Sequence, residues 1–189
     1  MKKPDHIIEI FLQPGEFYFG DRDTRIRTVL GSCVSITAWH PKLLIGGMCH
    51  YMLPTRGTAK PAEPDGRYAD EAMVLFLREI RAVGTRPAEY QVKLFGGGNM
   101  FPGARQNKHC VGQNCLSEEN SACRSVSCRN SKIARHLVEI NGFTVTAEHL
   151  GGDGHRQVFF DIWTGHVWAR QNPVTSPMIV IESARIEQD

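Results

Sequence analysis

The apolar residues of this chain fall into short runs punctuated by glycine and proline, and two stretches repeat them at helical spacing. IIEIFL (7–12) predicts a strand ending at the Pro14-Gly15 turn, and EFYFG (16–20) predicts a second short one. Beyond a Gly31-Ser32 turn, CVSITAW (33–39) alternates and is rich in β-branched residues until His40-Pro41 stops it. LLIGGMCHYML (43–53) follows after a short connection, so the two runs predict a hairpin, with Cys33 opening one arm and His50 late in the other. PTRGTAKPAEPDGR (54–67) reads as a long exposed loop. Ala69, Ala72, Met73, Phe76, Leu77, Ile80 and Val83 then recur every three or four residues before Gly84, which predicts an amphipathic helix packed on a sheet.

YQVKLF (90–95) predicts a strand running into Gly96-Gly97-Gly98, and residues 102–128 lose all periodicity. SKIARHLVEI (131–140) predicts a second helix closed by Asn141-Gly142. The strands FTVTAEHL, RQVFFDIW and HVWAR come next, joined by turns at 151–154 and at Thr164-Gly165. Neighbouring strands without helices between them indicate antiparallel pairing. The expected class is α/β, a layered sandwich of mostly antiparallel sheet with two main helices.

A length of 189 residues supports one domain spanning 1–189, ending in a short tail at about 171–189. Twenty-two Lys and Arg against twenty Asp and Glu leave a net charge of +2, and no basic run suggests a nucleic-acid groove. Asp5, His6 and Glu9 interrupt the apolar core an export signal would need, and no run approaches the roughly 18 apolar residues of a membrane span. The expectation is a cytoplasmic protein without membrane insertion. In that reducing compartment the six cysteines are not three disulfides.

Among those cysteines, Cys33 has the surroundings a nucleophile needs. Gly31 and Ser32 before it permit a tight turn, and the backbone N–H of Cys33 with a neighbouring turn amide can stabilise an oxyanion. A thiol near pKa 8.5 is mostly protonated at neutral pH and wants an adjacent base, for which His50 in the neighbouring strand is best placed. Alternation sends Cys49 and His50 to opposite faces, which leaves Cys49 to the core. Thr28 offers a hydroxyl that could orient the imidazole, or one that serves only local hydrogen bonds. The glycines at 96–98 lack the register of a phosphate loop and suit close backbone packing instead.

LGSCVSI, GGMCHYMLP with its histidine seventeen positions after the cysteine, RYAD, LFGGGNMF, VG, RN and AEHLGGDGHRQVFFDIWTG together resemble the chemoreceptor glutamine deamidase family, CheD. The resemblance implies an α-β-β sandwich and a protein-glutamine glutaminase that converts glutamines of methyl-accepting chemotaxis receptors to glutamate, releasing ammonia. It implies Cys33 as nucleophile, His50 as base and Thr28 as the third member, no cofactor, and a CheC-type phosphatase as a further partner. One residue, Val29, separates Thr28 from Leu30 where many members have two. A docking module with little turnover is the alternative reading.

The resemblance breaks once. About fifteen residues between Gln113 and Arg129 are extra, an inserted Cys-rich loop at about 114–128. Cys110, Cys115, Cys123 and Cys128 lie in or beside it, at spacings that match no standard zinc pattern but that four thiolates closing round one ion would tolerate. A metal- or redox-responsive role for the insert is the third reading, against a plain polar loop.

Overall fold

The structure is a computed structural model that describes residues 4–57, 63–101 and 125–173. Its elements in chain order are β1 (Ile8–Phe11), β2 (Phe17–Gly20), β3 (Thr24–Leu30), β4 (Val34–His40), β5 (Ile45–Cys49), α1 (Ala69–Ala82), β6 (Gln91–Gly96), α2 (Val126–Ile140), β7 (Thr144–Leu150), β8 (His155–Asp161) and β9 (His166–Asn172). They form an outer sheet in the order β1-β3-β8-β9 and a central sheet in the order β2-β5-β4-β6-β7. The β1–β3 and β6–β7 pairs are parallel and the rest antiparallel. This is the expected α/β sandwich, layered helix, sheet, sheet.

Residue alternation separates its two cores. Val34, Ile36, Ala38, Cys49, Tyr51, Val92 and Leu94 of the central sheet face Ala72, Met73, Phe76 and Ile80 of α1 and Ala134, Leu137 and Val138 of α2. The other face turns Met48 and Phe95 toward Ile26, Leu30, Val158 and Phe160 of the outer sheet. Each fully buried large side chain contributes about 1.5–3 kcal/mol through lost apolar exposure. The predicted hairpin forms, with Thr37 opposite Met48 and His40 opposite Ile45. α1 ends as anticipated, with Gly84 at φ 77° where a side chain would be strained.

Three departures from the sequence reading stand out. β3 was not anticipated, because Thr24 and Thr28 share its inward face with Ile26 and Leu30 while Arg25 and Arg27 alternate between them. α2 starts at Val126, five residues early, since its first buried residues are Cys128, Asn130 and Ser131 and apolar periodicity is absent there. β9 continues to Asn172, past the start assigned to the tail, because its residues through Asn172 pair with β8.

Candidate active site

Residues 31–33 carry the chain from the outer sheet to the central one. β3 ends at Leu30 and β4 begins at Val34, so this bend bridges the two layers at their rim. All three of its carbonyls are taken. Gly31 O accepts from Gly98 N at 2.8 Å, Ser32 O from Asn130 Nδ2 at 3.0 Å and Cys33 O from Gly97 N at 2.8 Å. In a trans peptide the following N–H points opposite to the carbonyl, so those of Ser32 and Cys33 face away from these donors. Neither has a backbone acceptor among the described residues. Two undirected amides beside a thiol form the kind of cradle that stabilises an oxyanion.

The glycine run makes this clamp possible. Gly97 sits at φ 63°, and a Cβ there would meet Ser131 of α2. A Cβ on Gly98 would meet the carbonyls of Gly154 and Gly31. The run therefore lies flat against the bend, as close packing of backbone requires.

His50 follows the last residue of β5, and the β1–β2 turn holds its backbone. His50 N–H donates to Glu16 O at 2.9 Å and His50 O accepts from Gly15 N at 2.7 Å. Cys49 and Tyr51 lie in the helix-side core, which leaves His50 on the sheet-to-sheet side. The Val34–Tyr51 bridge continues the β4–β5 register, so Cys33 stands opposite Met52 and diagonal to His50 on one face. Cys33 is half-buried and packs toward the core between the sheets.

Thr28 reaches His50 from the other sheet. Its Oγ1 lies 2.7 Å from His50 Nδ1 and donates to Leu12 O at 2.8 Å. A threonine hydroxyl has one proton, and the Leu12 carbonyl can only accept. Nδ1 therefore carries the proton toward Thr28, and Nε2 keeps a free lone pair. Burial drives the His50 pKa down to about 4, opposed weakly by the Leu12 carbonyl and Glu16. Burial likewise raises the Cys33 thiol, against a weaker pull from its own N–H. At neutral pH both groups rest uncharged, a thiol beside a base rather than a preformed ion pair.

Comparison with known proteins follows the same line. A family described as CheD chemotactic sensory transduction matches residues 52–171. A probable chemoreceptor glutamine deamidase CheD 3 of Dechloromonas aromatica is 47% identical over 87% of this chain and 88% of its own length. A probable chemoreceptor glutamine deamidase CheD of Pseudomonas syringae pv. syringae is 49% identical over 92% of this chain and 90% of its own. The chain belongs to the CheD family. The hypothetical protein YfiH of Bacillus licheniformis, a solved structure, is 10% identical with a TM-score of 0.41 over 70% of this chain and 49% of that one, too loose a likeness to bear on function.

The CheD match begins at Met52, beyond Thr28, Cys33 and His50, so their roles are argued from geometry. Sequence reasoning gave no role to two residues that support them. Asn130 is fully buried, and its Nδ2 donates to both Ser32 O and Met52 O, at 3.0 and 2.8 Å, on either side of Cys33. Its own carbonyl accepts from Tyr51 Oη at 2.6 Å. Arg156, 1% exposed, donates to Gly151 O and to His149 Nδ1, bracing the loop that hydrogen-bonds Gly96. The RN pair and the arginine after GGDGH carried the only sequence signal for them.

Cys128 is buried in the first turn of α2, while Cys110, Cys115 and Cys123 lie outside the described residues. No group of three His, Cys, Asp or Glu poised for a metal occurs among the described residues.

Proposed function

We propose that this chain deamidates glutamine side chains of chemoreceptors, with Cys33 as nucleophile, His50 as general base and acid, and Thr28 positioning His50. The observation that carries it is the 2.7 Å contact between Thr28 Oγ1 and His50 Nδ1, which leaves Nε2 basic on the face it shares with Cys33. The relatives' names as probable chemoreceptor glutamine deamidases supply the reaction and the substrate.

As the Cys33 Sγ–H proton passes to Nε2, sulfur attacks the side-chain carboxamide carbon and its oxygen becomes an oxyanion over the Ser32 and Cys33 amides. Collapse breaks the C–N bond, and the Nε2 proton leaves with the nitrogen as ammonia. Nε2 then takes a proton from water, whose oxygen attacks the thioester. C–S cleavage returns the proton to sulfur and releases a glutamate side chain.

Cys33 lies at a rim, and Met52 opposite it is exposed, as a substrate carried on another protein requires. We place the reaction in the cytoplasm, where thiols such as Cys33 and Cys49 persist, and take a CheC-type phosphatase as a further partner on the family resemblance alone. No helix among the described residues is long and apolar enough to cross a membrane. Mass spectrometry of a receptor cytoplasmic domain after incubation should show amide converted to acid. Conversion that survives Cys33→Ala overturns the mechanism.

A further inference from the structure

Ser35 stands directly across the sheet from His50. Val34, Ile36 and Ala38 of β4 belong to the helix-side core, so Ser35 and Thr37 between them turn toward the outer sheet, the side His50 also takes. Val34 N–H donates to Tyr51 O at 3.1 Å and Tyr51 N–H to Val34 O at 3.0 Å, which makes Val34 and Tyr51 a hydrogen-bonded pair. The next pair in that register is Ser35 with His50. It is of the unbonded kind, in which Cα atoms approach to about 4.5 Å and side chains lie closest. The N–H and carbonyl of His50 point the other way, to Glu16 and Gly15. Cys33 is two residues before Ser35 on the same face, so the hydroxyl neighbours both the thiol and the base.

The Ser35 side chain is fully buried, and its Oγ has no hydrogen-bond partner among the described residues. Two other hydroxyls on this face are committed: Thr28 Oγ1 donates to Leu12 O at 2.8 Å, and Thr37 Oγ1 to Lys93 O at 3.3 Å. On the other flank of Ser35, β6 places Phe95, whose ring carries no nitrogen or oxygen. A hydroxyl shut away from water without a partner destabilises the resting fold, and alanine would fill the position without that penalty. Such a hydroxyl also rotates freely, so its dipole answers to any charge that forms beside it. One charge forms there during the reaction, on the imidazole, when Nε2 takes the Cys33 proton.

We propose that Ser35 is a positioning residue that acts through His50: its hydroxyl turns its oxygen toward the ring as the ring becomes charged and holds the imidazolium in place. The inference rests on the deamidase reading and adds a member to its site. The interaction is absent with the neutral ring and present in the transition state, the condition under which an interaction raises turnover and does not merely tighten binding. From the β1–β2 segment the Leu12 carbonyl and Glu16 also favour the charged ring, and from the outer sheet Thr28 holds Nδ1. Changing Ser35 leaves these three groups and Cys33 in place.

The test compares Ser35→Ala with the unaltered protein in three measurements. Urea unfolding should give a midpoint at or above the original, since an orphaned hydroxyl is removed. Alkylation of Cys33 by iodoacetamide, followed by mass spectrometry of the Cys33 peptide, needs no substrate. At about pH 6, where hydroxide is scarce and the thiol gives its proton to His50, Ser35→Ala should react about tenfold more slowly, the effect of one unit in the proton affinity of the ring. At about pH 10 hydroxide removes the proton and the ring stays neutral, so the two rates should meet. Ammonia release from a receptor domain should show a kcat about tenfold lower at unchanged KM, because a buried hydroxyl does not touch substrate. Thr37→Val, which deletes the neighbouring hydroxyl of the same face, should leave both the alkylation rate and kcat as they were. A lower urea midpoint for Ser35→Ala overturns the proposal, because the hydroxyl then has a structural partner. Alkylation within about twofold of the original at pH 6, equal slowing at both pH values, a change confined to KM, or the same slowing in Thr37→Val overturns it too. Absence of ammonia from an intact receptor domain with the unaltered protein defeats the deamidase reading instead, and the alkylation comparison still decides the role of Ser35.

Discussion

Replacing Thr28 with valine keeps the side chain's size and deletes only its hydroxyl. Two buried groups then lose a partner, the Leu12 carbonyl at 2.8 Å and His50 Nδ1 at 2.7 Å. Thr28 and His50 are each 2% exposed, so water does not step in. An unsatisfied buried group costs about 1–3 kcal/mol, and here the freed carbonyl already pulls on the imidazole and recovers part of that. Thr28→Val should lower stability by roughly 2 kcal/mol. Its larger effect is on turnover, because Nδ1–H loses the hydroxyl that fixes both tautomer and ring orientation. A loss of 1.4–2.7 kcal/mol of transition-state positioning corresponds to a kcat about 10- to 100-fold lower. Thr28→Ser keeps the hydroxyl and removes one methyl, for about 1 kcal/mol of stability and a kcat within a few-fold of the original. Urea unfolding and ammonia release from a receptor domain measure the two quantities. A folded Thr28→Val enzyme with kcat within about threefold of wild type, or a serine variant as slow as valine, refutes the assigned role.

Other consequences follow from the same geometry. His50 titrates at about 4 in the folded chain against 6.5 for a free imidazole, so the unfolded chain takes the proton first as pH falls. The stability due to neutral His50 is complete above pH 6.5 and lost on descent to about 4, roughly 3 kcal/mol in all. Urea midpoints across that range should fall for the wild type and flatten for His50→Gln, and parallel curves would contradict the burial argument. Because the Cys33 thiol is raised, its alkylation by iodoacetamide should be slow at neutral pH and still climbing at pH 9, whereas a plateau below pH 7 would reveal a resting thiolate. Asn130→Ala should cost about 1–3 kcal/mol by freeing the Ser32 and Met52 carbonyls. Asn130→Asp, nearly isosteric, should be worse, because it sets a carboxylate against both carbonyls; an Asp variant as stable as wild type rules out the clamp.

What the sequence disclosed followed the strength of its periodicities. α1 and the β4–β5 hairpin were legible because their buried residues are apolar and regularly spaced. The division of Cys49 from His50 came from strand alternation alone, and the two cores honour it. β3 and the start of α2 were obscure because their inward positions hold Thr28 and Asn130, polar side chains buried with partners supplied from distant elements, and Ser131, which bonds Ser127 O one turn back. Long-range hydrogen bonds leave no periodic trace. The stretches hardest to read in the sequence are thus the ones that support the candidate site.

The bend at 31–33 has a consequence for partly folded forms of the molecule. Thr28 belongs to one sheet and His50 follows a strand of the other, so their hydrogen bond is a stitch across the seam between layers. A species that kept both helices and the central sheet but let the outer sheet drift would preserve most helical signal and part of its core. It would nonetheless lose the orientation of its base. Turnover in such a molecule is a readout of whether the two layers are closed, and no fragment of the sandwich can inherit it.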